Sequence, residues 1–291
     1  MPFADANAKK RGKTKTAMTA VLFVVLLMAI RIHPVYYNLR SLLIMGPYHL
    51  YHQSISLDRN DDERIHIPSG ITGKHRSWFP IVLRYHTGDA FGKWVGEPWE
   101  ATVLYRFAAI DVMDRHSAYF DADHPLFSSF YGAYLIRHSD NTDMVYGFDD
   151  GGKVRRKDWI QLIEYDQRYL VLPSIGLHPN EVVFEVTHLD YEENMSYLGR
   201  DQWTRMDASI VTNSPQHSYE KHNRGYFQYG LPLEPPPGKE NYYPLRLYGR
   251  MYVIHLEKEG LSIAIYAVAS EQNTVDWIDS TFLQEIRIPG C

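Results

Sequence analysis

The sequence predicts a mostly β chain: a single N-terminal transmembrane helix, then an antiparallel β-rich extracytoplasmic domain, a sandwich or open barrel with few short helices. Three observations lead there. An uncharged apolar run lies directly behind a basic N-terminus. Most of the remaining chain reads as short runs of strand formers separated by turns. Beyond the apolar run, helical spacing is confined to one stretch near the C-terminus. With 291 residues, 45% hydrophobic and 22% charged, the chain is long enough to bury a sizeable core.

The elements are taken in chain order. Residues 1–15 form a basic tail with Lys9, Lys10, Arg11, Lys13 and Lys15. TAMTAVLFVVLLMAI, residues 16–30, carries no charge. A cleaved signal peptide would need small residues at its cleavage site. Here Leu27 stands two residues before Ala29, and Arg31-Ile32-His33-Pro34 come next. The better reading is an uncleaved anchor over 16–33. A span takes about 20 residues. Thr14 to Ile32 suffices if Lys15 and Arg31 snorkel to the two interfaces. The basic side stays in the cytoplasm. The chain is then a single-pass cell-membrane protein, N-terminus cytoplasmic and C-terminal domain extracytoplasmic.

Residues 34–70 are expected to be a juxtamembrane segment and connector. Pro34 ends the membrane helix. Tyr36, Tyr37, Tyr48 and Tyr51 are of the type found at membrane–water interfaces, which makes them candidates for contact with headgroups or another membrane protein. Asp58, Asn60 and Asp62 begin a calcium-loop pattern, but Glu63 stands where glycine is needed and Ser69 where a bidentate Glu is needed.

Residues 71–291 carry the β-rich domain. Expected strands are 79–86, 100–113, 127–138, 143–148, 159–166, 168–174, 181–190, 207–212, 245–259, 261–269 and 282–289. Tyr252-Ile254-Leu256 and Ile263-Ile265-Ala267 show period-2 spacing around the hairpin turn Glu257-Lys258-Glu259-Gly260. Asp149-Asp150-Gly151-Gly152 is a second turn of this kind. Val275, Ile278 and Phe282 are helically spaced within 271–286, behind Asn273 or Thr274 as possible caps. Pro235-Pro236-Pro237-Gly238 reads as a loop within one domain.

Charge and motifs bound the function. Net charge is −5; the first sixteen residues carry +4, so the remainder carries −9. An acidic body excludes a nucleic-acid partner, whose phosphates need a basic face. The single cysteine, Cys291, excludes internal disulfides and cysteine-pair zinc or redox sites. Phosphate-cradling glycine loops, H-E-x-x-H and G-x-S-x-G are absent.

The densest polar stretch is DVMDRHSAYFDADH, residues 111–124. Asp121, Asp123 and His124 can hold a divalent metal if they share one turn with Asp111 or Asp114 nearby. Two of its carboxylates could instead serve as an acid pair, and a solvated loop between strands explains the same composition.

The expectation is therefore a membrane-anchored extracytoplasmic domain for protein–protein interaction or assembly of an envelope or membrane complex, without a cofactor. The alternatives are a surface hydrolase using a divalent metal at 111–124, and a ligand- or carbohydrate-binding module.

Overall fold

The computed structural model describes residues 18–26, 43, 46–59, 64–68, 82–107, 119, 122–140, 144–174, 177–215 and 242–288. The chain is mostly β. Its centre is one seven-stranded antiparallel sheet: β1 Leu83–His86, β2 Trp99–Phe107, β3 Phe130–His138, β4 Phe184–Tyr197, β5 Arg200–Pro215, β6 Tyr242–Leu256 and β7 Leu261–Ala269. The spatial order is β1-β2-β3-β7-β6-β5-β4, so the last of the described strands is inserted at the middle. Helices are few: α1 at 18–26, α2 at 46–55, α3 Ala90–Val95, α4 Arg156–Asp166, α5 Leu172–Ser174 and α6 Gln272–Thr281.

A sandwich or barrel has one inward face per sheet. This sheet has two, and the fold expectation is corrected accordingly to a single open sheet covered on both sides. One face packs Val103, Tyr105, Tyr134, Ala264, Tyr266 and Val268 against Phe91 of α3 and Trp159 and Leu162 of α4. The other packs Tyr131, Leu135, Ile263 and Ile265 against Val275 and Ile278 of α6, with Leu57, Ile65 and Ile67 from the preceding segment. All nine residues of β7 are consequently buried. Alternation puts Ala264 and Tyr266 into one core and Ile263 and Ile265 into the other. Each large apolar side chain removed from water contributes about 1.5–3 kcal/mol.

Several expected strands differ. Residues 159–166 and 168–174 form α4, a π-helical turn at Gln167–Val171 and α5. Trp159, Leu162 and Asp166 recur at helical spacing and face the sheet, while Trp, Ile, Tyr and Val give the segment a strand-like composition. Residues 144–148 make a loop held by one bridge, Phe148 to Val154. Its turn is as expected: Gly152 has φ +76°, and Asp149 Oδ1 accepts the N–H groups of Gly151 and Lys153 at 2.9 Å. Residues 283–285 form a 3-10 turn rather than a strand, followed by a bridge from Arg287 to His66. The Glu257–Gly260 hairpin is present, with Gly260 at φ +56°.

Two polar clusters fasten the periphery. At the β1 edge, Arg84 pairs with Asp58 at 2.8 Å, both buried, and Leu57 N–H donates to Thr102 Oγ1 at 3.0 Å. Asp58 is thereby committed to Arg84 and to the Ile65 N–H, not to a cation loop. At the other end, Tyr197 and Tyr252 stack at 3.8 Å and donate to Asp279 of α6 at 3.1 and 2.7 Å. Arg250 also binds Asp279 at 2.9 Å.

Of the expected anchor at 16–33, the described part is α1, whose Val21, Leu22 and Phe23 are exposed. Among the described residues, no helix is long and apolar enough to cross a membrane.

Candidate functional site

Among the described residues, an apolar concavity lies between α4 and the face of β3 to β7. It is built by periodicity. Met206, Ala208 and Ile210 alternate along β5, and Gly249 and Met251 along β6, so they share one face. Val186 and Leu189 of β4 are three apart and would face opposite ways in a regular strand. A bulge sets Thr187 and His188 against Ser209 alone, and both apolar side chains then face the cleft. Gly249 lies opposite Ala208, and the missing side chain leaves the floor open. From above, α4 contributes Trp159, Ile160, Ile163 and Gln167. The cleft itself encloses about 50 Å³ and opens to solvent at its mouth.

The two ends of the cleft differ. At the outer end, exposed Arg156 sits in the first turn of α4, with its guanidinium 3.7 Å from the ring centre of Tyr191 on β4. Its neighbour Arg155 is neutralised by Asp158 at 3.0 Å, whereas Arg156 forms no ion pair among the described residues. At the inner end, Tyr134 and Tyr266 stack at 4.4 Å. The Tyr134 hydroxyl donates to Asp166 Oδ2 at 2.7 Å. Asp166 is fully buried, and burial pushes its carboxyl up to about 7, against the opposing effect of the Tyr134 bond. The Tyr134 hydroxyl is pushed well above its ordinary value, first by burial and then by Asp166. From Arg156 to Gln167 the helix rises about 16 Å at 1.5 Å per residue.

The residues singled out by sequence fall elsewhere. Asp123 and His124 share one turn, Asp123 exposed and His124 half-buried. His124 Nδ1 accepts the Leu126 N–H at 3.1 Å, and its carbonyl accepts the Phe127 N–H at 2.9 Å. Asp111, Asp114 and Asp121 lie outside the described residues, and among those described no three His, Cys, Asp or Glu converge as a metal site. Tyr36 and Tyr37 are also outside them. Tyr48 packs inward on His52 and Tyr85 at 4.3 and 6.2 Å, while Tyr51 is 60% exposed.

Sequence reasoning missed the cleft because its polar end joins Tyr134 and Asp166, thirty-two residues apart on a strand and a helix. An aspartate in the otherwise apolar face of α4 was the available signal.

No known protein family, curated protein or solved structure matches the chain.

Proposed function

We propose that the chain is a membrane-anchored domain whose extracytoplasmic body binds an amphipathic ligand, an acyl chain with an anionic head. The observation that carries this is the apolar cleft under α4 with Arg156 at its mouth. Such sites are concave and apolar, with a few placed polar groups. An acyl chain matches the lining, and a carboxylate or phosphate head matches Arg156. The anchor rests on the uncharged run after the basic tail and on the exposed apolar side chains of α1.

The test uses the full chain in nanodiscs, titrated with 11-bromoundecanoate, whose bromine quenches nearby indole. Saturable quenching of Trp159 is expected, lost in Trp159→Phe and in Gly249→Phe, which fills the floor. Arg156→Glu should weaken binding roughly tenfold, since charge-assisted contacts are worth about 1.5 kcal/mol or more. Quenching that is not saturable, or that ignores all three substitutions, overturns the reading.

A second reading, assembly with another protein in a membrane or envelope complex, is favoured by β4. This fourteen-residue strand pairs with β5 alone among the described residues. Its Tyr191 is 44% exposed beside Glu192 and Glu193. A photocrosslinker at position 192 in native membranes should then capture one reproducible protein, and loss of capture on Tyr191→Asp would support the contact. Absence of any reproducible adduct sinks it.

A further inference from the structure

The cleft under α4 has a second free polar group besides Arg156. We infer that the Gln167 amide is the inner anchor of the site and receives a hydroxyl on the buried end of the ligand, so that the acyl chain is held by a polar group at each end. This deepens the reading of the cleft as an acyl site and rests on it.

The first support is an account of the polar side chains that line the cleft. Trp159 Nε1 donates to the Gly147 carbonyl at 3.1 Å. The Tyr134 hydroxyl donates to Asp166 at 2.7 Å, and the Tyr266 hydroxyl to the Leu104 carbonyl at 3.4 Å. Arg250 donates to Asp207 and Asp279 at 2.7 and 2.9 Å. Arg156 and Gln167 remain. Gln167 is 3% exposed, and its side chain makes no hydrogen bond among the described residues. Neither amide atom is sealed in the packing as Asp166 Oδ1 is, so the little surface that the side chain keeps opens on the cleft.

The second support is position. Arg156, Ile160, Ile163 and Gln167 all line the cleft and are spaced four, three and four apart, a single stripe of the helix. Two apolar side chains are thus bracketed by a cation at the mouth and an amide about 16 Å further along. Gln167 is also where α4 passes into the π-helical turn Gln167–Val171. Such turns are uncommon and concentrate at functional sites. An unpaired amide among apolar side chains costs about 1–3 kcal/mol, and its presence in the stripe calls for a use.

The chemistry follows from the amide. It offers a donor and an acceptor side by side, and a hydroxyl satisfies both, accepting from Nε2 and donating to Oε1. A methyl group leaves both unpaired. The enclosed space of about 50 Å³ admits the tip of a chain, so the group at the tip is what the site discriminates. The ligand class narrows to acyl chains hydroxylated at the end remote from the acid head.

The experiment is competition against 11-bromoundecanoate on the full chain in nanodiscs, comparing undecanoate with 11-hydroxyundecanoate. The two acids partition differently into the bilayer, so their ratio is read against Gln167→Met, for which partition is unchanged. One hydrogen-bonded group predicts a preference for the hydroxy acid roughly 3–10-fold larger in the unaltered chain than in Gln167→Met. Gln167→Leu, the second variant, should lose the preference equally, and both variants should still bind undecanoate. The same ratio in the unaltered chain and either variant overturns the role of Gln167 while leaving the cleft reading intact. Failure of both acids to displace the probe from the unaltered chain overturns the cleft reading, and the inner anchor with it.

Discussion

His52 of α2 accepts the backbone N–H of His86 through Nδ1 at 3.0 Å, joining that helix to the edge of the sheet. The bond requires a neutral ring. Burial, and next the neighbouring His86, lower His52 from 6.5 to about 4. Between those values the unfolded chain binds a proton that the folded chain refuses. Stability is therefore complete above pH 6.5 and falls as pH drops toward 4. Melting followed by circular dichroism should show Tm declining by several °C across that window, at about 2–4 °C per kcal/mol. His52→Asn, which can still accept, should flatten part of the decline. A Tm unchanged from pH 7 to pH 4.5 would contradict the assignment.

The same edge depends on a buried ion pair. Asp58 is fully buried and Arg84 nearly so, at 2.8 Å. Removing one partner strands a charge, and Asp58→Ala should cost about 3–5 kcal/mol in urea unfolding. Replacing both, Asp58→Leu with Arg84→Met, should cost less than either single change. Additive losses would mean that the pair does not act as a unit.

Asp166 responds to pH in the opposite sense to His52. Its folded carboxyl holds the proton up to about 7, against 3.8 when unfolded. Between those values the folded state binds the extra proton, so stability falls as pH rises and the loss is complete above 7. At 1.36 kcal/mol per unit the cost is about 4 kcal/mol at most. Asp166→Asn should remove this dependence and raise Tm at pH 8. A variant less stable than the parent at pH 8 would refute it.

Gly132 of β3 lies against the backbone of β2, and an added Cβ would overlap the Leu104 carbonyl. Gly132→Ala should destabilise by about 1–3 kcal/mol through forced backbone shifts. Gly249→Ala is the control. Its Cβ would meet Ala267 and Val268 at an ordinary 3.7 Å, and its effect on urea midpoint should be small.

Legibility in the sequence tracked solvent contrast. Residues 261–269 were expected as a strand and form β7 with those bounds, because the turn at Gly260 and unbroken strand formers agree. The C-terminal helix was read from Val275 and Ile278, which are buried on α6. By contrast, 191–197 of β4 was missed because that stretch is exposed almost throughout and shows no alternation. At α4 the entry residue Arg155 makes no side-chain capping bond, so no start signal opposed the strand-like composition. The cleft was illegible for a further reason. It needs the β4 bulge and the pairing of Tyr134 with Asp166, and both are set by tertiary contacts.

The central place of β7 has a consequence for the order in which the molecule can be made. Residues 83–138 supply one flank of the sheet and residues 184–256 the other. The strand that joins them, Leu261–Ala269, follows both in the chain. As the chain emerges, the two flanks remain unjoined, each with an open hydrogen-bonding edge and uncovered apolar surface. β3 and β7 pair residues more than a hundred positions apart, which makes closure slow as well as late. A chain halted before residue 261 would therefore present two sticky half-sheets rather than a smaller folded body. In the cell, the interval before β7 emerges is when this protein most needs a chaperone.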